Sequence, residues 1–172
     1  MIAPMPAHPA TLPPEVLLTQ CDVARGRASG PGGQHRNKVE TAVVITHRPS
    51  GVSGQASERR EQARNRAVAL FRLRVNLALQ VRETPHLPGV PSALWRSRAR
   101  AGRIALNPEH ADFPAMLAEA LDVLGACDGD LPRTARLLDV TPSQLVKLFK
   151  DEPRALAQVN AARVARGEHA LR

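Results

Sequence analysis

The chain has 172 residues, enough for one ordinary domain or two small ones. Apolar residues make up 43% of it and aromatic residues only 2%, so the core must be built from aliphatic side chains. A net charge of +8 and a sequence pI near 11.1 predict a polyanionic partner, and the lack of any long apolar run argues against a membrane-spanning protein.

The start of the chain and the two cysteines indicate a cytoplasmic protein. Residues 1–14 are rich in proline and alanine and lack a basic stretch followed by an apolar one, so they predict a disordered tail rather than a secretion signal. Cys21 and Cys127 lie far apart, outside any cysteine or histidine cluster. This pattern excludes a disulfide framework and a structural metal site, and we expect neither a metal nor a cofactor.

Positive charge is concentrated in the first part of the chain. Up to Arg103 there are 16 basic and 6 acidic residues, a net charge of +10, whereas from Ile104 onward there are 8 and 10, a net charge of −2. A genome that prefers arginine codons explains the choice of arginine over lysine, but it does not explain this asymmetry. We therefore expect the polyanion to bind the first part.

Short strands are predicted first. Residues 21–23 alternate as a half-buried strand does, and residues 30–33 form a glycine- and proline-rich loop that no regular element can cross. Residues 41–46 are β-branched and predict a strand, the turn at 49–51 follows, and residues 52–56 can return as its hairpin partner.

A long helix is predicted over residues 58–82, with Ser57 as its N-cap. Its apolar stripe recurs at three- and four-residue steps: Ala63, Ala67, Leu70, Leu73, Leu77 and Val81. The arginines that fall largely off this stripe are Arg59, Arg60, Arg64, Arg66, Arg72 and Arg74. Residues 15–83 thus predict an α+β domain, a small mixed or antiparallel sheet packed on a long helix with a basic outer face.

Residues 84–111 predict a linker followed by a basic segment. Three prolines and a glycine fall within residues 84–91, as is typical of linkers. The form of residues 92–103 stays open, and Trp95 within them is expected to be a packing anchor.

Residues 112–172 predict a small all-α domain. Its helices are expected at 112–126, 131–138, 142–150 and 153–166, with Thr141 capping the third. The pair over residues 131–150 resembles a helix-turn-helix of the Fis type, with Asp139 where glycine is usual. Since the second helix of the pair offers only Lys147 and Lys150, we favour packing or ribosome contact over sequence-specific DNA binding.

Gly32-Gly33-Gln34 is the candidate catalytic motif. The surrounding loop lacks the spacing of a phosphate-binding loop, and no catalytic triad or zinc-protease motif is evident in the sequence. Two glycines give the backbone conformations that other residues cannot adopt, and Gln34 follows with a main-chain N–H. Glutamine does not titrate near neutral pH, so it can stabilise developing charge but cannot act as a base. We expect His35 to be solvated or to face RNA.

The segment from Arg27 to Lys38, which contains this tripeptide, resembles the catalytic loop of bacterial class I peptide chain release factors and their short ribosome-rescue relatives. The strand at residues 42–46 and the helix start Arg60-x-Gln62-x-x-Asn65-Arg66 are similar as well. The resemblance extends over about residues 17–82.

This resemblance implies that Gln34 enters the peptidyl transferase centre of the 23S ribosomal RNA, beside the ester of the P-site peptidyl-tRNA. Its N–H would stabilise the transition state while its side chain positions water, and Gly32 and Gly33 would shape the loop. Asn37 and Lys38 match positions near RNA. Together with the basic face, the expected RNA-binding residues are Arg27, Arg36, Asn37, Lys38, Arg59, Arg60, Arg64 and Arg66.

Codon-independent rescue of stalled ribosomes is the predicted function, by a monomer. Stop-codon-reading factors carry a large preceding domain, and about twenty residues before the matching region are too few to build one. Two alternatives stay open: a ribosome- or RNA-binding regulator that has lost catalysis, and a DNA-binding regulator that uses the C-terminal helices.

Overall fold

A computed structural model describes residues 7–26, 41–83, 85 and 90–172. Over these residues the fold is mixed, with small antiparallel sheets and several helices. The chain divides into two units, Met1–Val81 and Arg82–Arg172, which we call unit 1 and unit 2. The predicted domain boundaries after residues 83 and 111 stay predictions.

Besides a short 3-10 helix at Pro9–Thr11, the described residues of the first unit form one short α-helix, three strands and one long α-helix. They are α1 (Pro14–Thr19), β1 (Cys21–Gly26), β2 (Ala42–His47), β3 (Ser53–Ala56) and α2 (Gln62–Gln80). The second unit contains five helices and a two-stranded hairpin within its described residues. They are α3 (Ala93–Arg98), β4 (Ala99–Arg100), β5 (Arg103–Ile104), α4 (Phe113–Ala126), α5 (Leu131–Leu137), α6 (Pro142–Lys150) and α7 (Pro153–Ala165).

The sheet of unit 1 is antiparallel with the strand order β1-β2-β3. Ile45 in the central strand pairs with Val23 on one side and with Gly54 on the other. Alternate residues of β2 are buried, as expected for a strand with one face in the core. The predicted hairpin of β2 and β3 is therefore confirmed, and β1 is longer than the three residues that alternation indicated.

Gly54 allows α2 to lie directly on β3. A Cβ built at this position would stand 2.3 Å from both the carbonyl oxygen of Ala69 and the backbone nitrogen of Leu73. Because both atoms belong to the helix backbone, no rotamer change can relieve the overlap. The helix and the sheet are thus in backbone contact at this point, and only glycine fits there.

Two details of α2 differ from the sequence prediction. The helix begins at Gln62 rather than at residue 58, so that Glu61 and not Ser57 stands at its N-cap position. The predicted stripe is also rotated: Ala63 and Ala67 are exposed, while the buried face includes Asn65 and Ala69 together with Leu73 and Leu77. The two exposed alanines are small enough to be tolerated on either face, which is why periodicity misplaced them.

Arg74 was expected on the basic outer face, but it is buried. Its guanidinium donates to the carbonyl of Ala10 from Nε at 3.1 Å and from Nη2 at 3.0 Å. Ala10 belongs to a short 3-10 helix, Pro9–Thr11, capped by the His8 side chain, which accepts from the Ala10 N–H. Residues 7–13, assigned from sequence to a disordered tail, therefore pack against α2.

Unit 2 is built around α4, in which 11 of 14 residues are buried. Trp95 of α3 is fully buried, and its indole N–H donates to the carbonyl of Leu138 at 2.8 Å, so the predicted packing role is confirmed. The basic segment that the sequence left open forms α3 and the β4-β5 hairpin. The helices predicted within residues 112–172 are present as α4 to α7, and the hairpin lies before that range.

The turn between α5 and α6 follows the sequence prediction closely. Asp139 has a φ of 52°, a backbone conformation usually given to glycine and tolerated by aspartate. The Thr141 side chain then accepts a hydrogen bond from the Gln144 N–H at 3.3 Å, as an N-cap does. These two short helices thus meet across a tight and specifically capped turn.

We predict that Gly54→Ala destabilises unit 1 by about 2–3 kcal/mol, because overpacking against backbone cannot be relieved locally. Gly26→Ala is the matched control, since a Cβ at Gly26 has no neighbour within 4 Å among the described residues. Urea unfolding followed by circular dichroism measures both. Equal stability of the two variants would show that α2 can move away from β3 at little cost.

The buried Asp122 of α4 predicts a pH-dependent stability of unit 2. Burial raises its pKa from 3.8 to about 6, although the Arg82 guanidinium at 3.4 Å and the Glu83 N–H favour the charged form. Between pH 4 and pH 6 the folded state therefore binds a proton that the unfolded state has lost, so the free energy of unfolding falls as the pH rises through this window, by about 1–2 kcal/mol.

Calorimetric melts of the wild type, Asp122→Asn and Asp128→Asn between pH 4 and pH 7 test this expectation. The decline in Tm with rising pH should flatten in Asp122→Asn. It should persist in Asp128→Asn, which removes an exposed carboxylate just beyond the end of α4. A decline of the same size in all three proteins would assign it to other groups.

Candidate functional site

The predicted catalytic tripeptide lies in residues 27–40, outside the described residues. The same holds for Arg27, Arg36, Asn37 and Lys38. The structure does describe the residues that flank this segment. Gly26, the last residue of β1, pairs across the sheet with Ala42, the first residue of β2, so the flanking residues lie side by side on two antiparallel strands.

Asn65 holds together the chain around the end of this segment. The side chain is fully buried, and its amide donates to the carbonyl of Thr41 at 2.7 Å and to that of Arg59 at 2.8 Å. Its carbonyl oxygen accepts from the Arg59 N–H at 2.8 Å. Asn65 therefore ties α2 to the residue that follows segment 27–40 and to the residues that precede the helix.

The connection between β3 and α2, residues 57–61, is held from two sides. Besides the Asn65 contacts, Arg72 donates to the carbonyl of Gln55 at 2.8 Å and forms an ion pair with Glu58 at 2.5 Å. The hydrogen bond from Arg72 lowers the pKa of the Glu58 carboxyl, which keeps it charged. These bonds stop α2 from extending backward through residues 59–61, and they explain why the helix begins later than predicted.

The four arginines predicted to bind RNA at the start of α2 are all exposed. Arg64 forms an ion pair with Glu61 at 3.0 Å, with both side chains mostly in solvent. Arg59, Arg60 and Arg66 make no ion pair within the described part of the chain. Three guanidinium groups are thus available to a polyanion, two of them on the connection that Asn65 and Arg72 hold.

His47 is a structural residue of the β2-β3 turn. Its Nδ1 lies 2.7 Å from the Ser50 hydroxyl and its Nε2 lies 3.1 Å from the Gln20 side-chain oxygen. Burial, and to a lesser extent the neighbouring Arg48, lowers the pKa of the imidazole, so it stays neutral at physiological pH. Both ring nitrogens therefore have a hydrogen-bonding neighbour.

Sequence reasoning did not single out the role of Asn65. An asparagine on the buried side of a helix needs hydrogen-bond partners for its amide, so its burial alone would have pointed to such contacts. The predicted apolar stripe placed residue 65 outside the buried face, and the contacts were therefore not expected. The structure also removes Arg74 from the basic face, since its guanidinium is buried against Ala10.

Among the described helices, none combines the length and the apolar character needed to cross a membrane. The RF-1 domain family matches residues 15–88. The chain is 45% identical over 69 residues to chloroplastic peptide chain release factor PrfB1 of Arabidopsis thaliana, covering 40% of this chain and 15% of that protein.

Two bacterial proteins named peptide chain release factor 1 are also similar. That of Acidiphilium cryptum is 54% identical over 56 residues, which cover 33% of this chain and 16% of the relative. That of Granulibacter bethesdensis is 50% identical over 60 residues, which cover 35% of this chain and 17% of the relative. The matching region spans about a sixth of the length of these relatives. Residues 15–88 of the chain therefore match an RF-1 domain, and this part of the chain is similar to peptide chain release factors.

Proposed function

We propose that this protein hydrolyses the ester of peptidyl-tRNA on the ribosome without reading a stop codon, and so releases nascent chains from stalled ribosomes. The observation that carries the proposal is the position of Gly32-Gly33-Gln34 inside the RF-1 match, between two strands paired at Gly26 and Ala42. In the proposal, the sheet and α2 form the domain that presents this tripeptide, as in release factors.

The chemistry follows from what the three residues can do. Water attacks the ester carbonyl, the bond between the carbonyl carbon and the tRNA ribose oxygen breaks, and the peptide leaves as a carboxylic acid. The main-chain N–H of Gln34 would stabilise the oxyanion that develops, and its side chain would position the water. Gly32 and Gly33 supply the backbone freedom that the presentation requires.

Docking on the ribosome is assigned to the basic surface of unit 1. Residues 1–81 carry 11 basic and 5 acidic residues, a net charge of +6. The exposed Arg59, Arg60, Arg64 and Arg66 would contact 23S ribosomal RNA phosphates, alongside Arg27, Arg36, Asn37 and Lys38 of the loop. Such a protein acts in the compartment of translation, the cytoplasm.

The rescue assignment rests on the extent of the match. What the chain shares with the release factors is limited to about a sixth of their length. The matched part contains the tripeptide to which we assign ester hydrolysis, so the proposal carries over the hydrolysis and not the reading of codons. Unit 2 beyond residue 88 lies outside the RF-1 match.

Peptide release from ribosomes stalled on a message without a stop codon tests the proposal directly. We expect the wild type to free the peptide and Gln34→Pro, which lacks the N–H, to be slower by about 100-fold or more. Gln34→Ala keeps the N–H and should lose much less activity.

Cosedimentation with ribosomes is the control for these variants and should give the same binding for all three proteins. Equal loss of release in Gln34→Pro and Gln34→Ala would contradict the role of the main-chain N–H. If the wild type binds ribosomes but frees no peptide, the protein is a ribosome-binding regulator rather than a hydrolase.

Asn65→Ala is expected to lower kcat for release on the order of 10- to 100-fold, since small displacements of a catalytic group have large effects on rate. Asn76→Ala is the matched control. Asn76 lies on the same helix and donates to the carbonyl of Ser53 at 2.7 Å, in the turn-side part of the sheet away from residue 41.

Thermal melts accompany both asparagine variants, because removing either amide bond costs about 1–3 kcal/mol of stability. The expected result is a loss of kcat in Asn65→Ala alone. If kcat falls in both variants in proportion to the loss in Tm, Asn65 has only a structural role.

A further inference from the structure

The β4-β5 hairpin of unit 2 has two unlike faces. Its turn consists of Ala101 and Gly102, which both have positive φ, 49° and 74°, as in the tight turns that suit a twisted two-stranded ribbon. Ala99 pairs with Ile104, and both are half-buried, whereas Arg100 pairs with Arg103, and both are exposed. Because successive pairs point to opposite faces, the two arginines lie side by side on the open face.

The hairpin, which we call the wing (residues 99–104), is fixed to the turn between α5 and α6. Gly102 forms a bridge with Val140, and its carbonyl accepts from the Thr141 N–H at 3.1 Å. The Ile104 N–H donates to the side-chain oxygen of Gln144 on α6 at 3.0 Å. The wing therefore stands beside a helix-turn-helix arrangement and is held in place before any partner arrives.

The charge on the wing is unusual for its surroundings. Within the described residues neither Arg100 nor Arg103 forms an ion pair, whereas the nearby Arg98 pairs with Asp112 at 2.6 Å. Two like charges opposite each other on a strand pair destabilise it. The fold gains nothing from this repulsion, but a polyanion placed on the open face would neutralise it.

The charged groups on the packed elements do not cancel this charge. Arg136, in the last turn of α5, is exposed, and its carbonyl accepts from the N–H of Asp139. Asp139 is exposed in the turn itself, and Lys147 of α6 pairs with Asp151 at 3.6 Å. Around the turn three exposed arginines, Arg100, Arg103 and Arg136, thus stand against one carboxylate, Asp139, that has no basic partner among the described residues.

The helix α6 is poorly equipped to read bases. The exposed residues at its start are Pro142 and Ser143, the side chain of Gln144 is engaged by the wing, and Lys147 is paired with Asp151. Guanidinium pairs, by contrast, match phosphate oxygens without regard to sequence. The surface is therefore suited to binding the phosphate backbone of a nucleic acid and not to recognising specific bases of DNA.

We propose that the wing binds the phosphate backbone of structured RNA through Arg100 and Arg103, as a second RNA contact separate from the basic face of α2. The choice of RNA over DNA rests on the proposed ribosomal function. A role in RNA binding also accounts for Arg100 and Arg103, which the packing of unit 2 leaves in solvent.

The test compares full-length Arg100→Gln/Arg103→Gln with Arg154→Gln/Arg166→Gln, which removes the same charge from the ends of α7. Binding to an RNA hairpin, to the matching DNA duplex and to ribosomes is measured across a range of salt concentrations. In the wing variant the dependence of log affinity on log salt should become shallower by about 1–2, and RNA affinity should fall about tenfold or more at low salt. The control should keep the wild-type slope.

Stability separates binding from misfolding. The wing variant should melt at the same temperature as the wild type or higher, because it loses a repulsive pair, and Arg100→Lys/Arg103→Lys should retain most of the salt dependence. An unchanged slope in the wing variant overturns the proposal. Tighter binding of the DNA duplex than of the RNA hairpin overturns the assignment to RNA.

The peptide-release assay distinguishes a failure of this inference from a failure of the proposed function. If the wild type releases no peptide but the wing variant still binds RNA with a shallower salt dependence, the proposed function is wrong and the RNA contact stands. Normal release with an unchanged salt slope in the wing variant rejects the wing contact alone.

Discussion

The backbone contact between α2 and β3 at Gly54 is the constraint on which unit 1 depends. With no side chain between them, the helix has a single rotation in which Ala69 and Leu73 meet the strand. That rotation places Asn65 inside, where its amide reaches Thr41 and Arg59, and it turns the arginines at the helix start toward solvent. The packing of α2, the hydrogen bonds of Asn65 to Thr41 and Arg59, and the exposure of the arginines thus all follow from the contact between α2 and Gly54.

Much of the local structure could be predicted because it is encoded by neighbouring residues. The β2-β3 hairpin and the turn capped by Thr141 follow from β-branched runs and from cap residues, and both are present. The rotation of α2 could not be predicted from apolar period alone, because Ala63 fits a surface or a core equally well. Arg74 was misplaced for the complementary reason: a charged side chain is expected outside unless a partner distant in sequence, here the Ala10 carbonyl, satisfies it.

In the candidate site, too, features formed by neighbouring residues could be predicted, and contacts between residues distant in sequence could not. The tripeptide at residues 32–34, proposed as catalytic, could be singled out because it consists of three consecutive residues. The contact between Asn65 and Thr41 could not be predicted, because Thr41 lies 24 positions earlier in the chain. The wing was missed because each of its strands has two residues, and its attachment to Val140 joins parts of the chain far apart in sequence.

The burial of Trp95 has a practical consequence. It is the only tryptophan of the chain, there is no tyrosine, and it lies wholly inside unit 2 with its indole bonded to Leu138. Intrinsic fluorescence therefore reports the packing beneath the α5-α6 turn, while unit 1 is nearly silent at these wavelengths. Emission and far-ultraviolet dichroism, recorded together, can show whether the unit that carries the tripeptide and the unit that carries the wing unfold in one transition or in two.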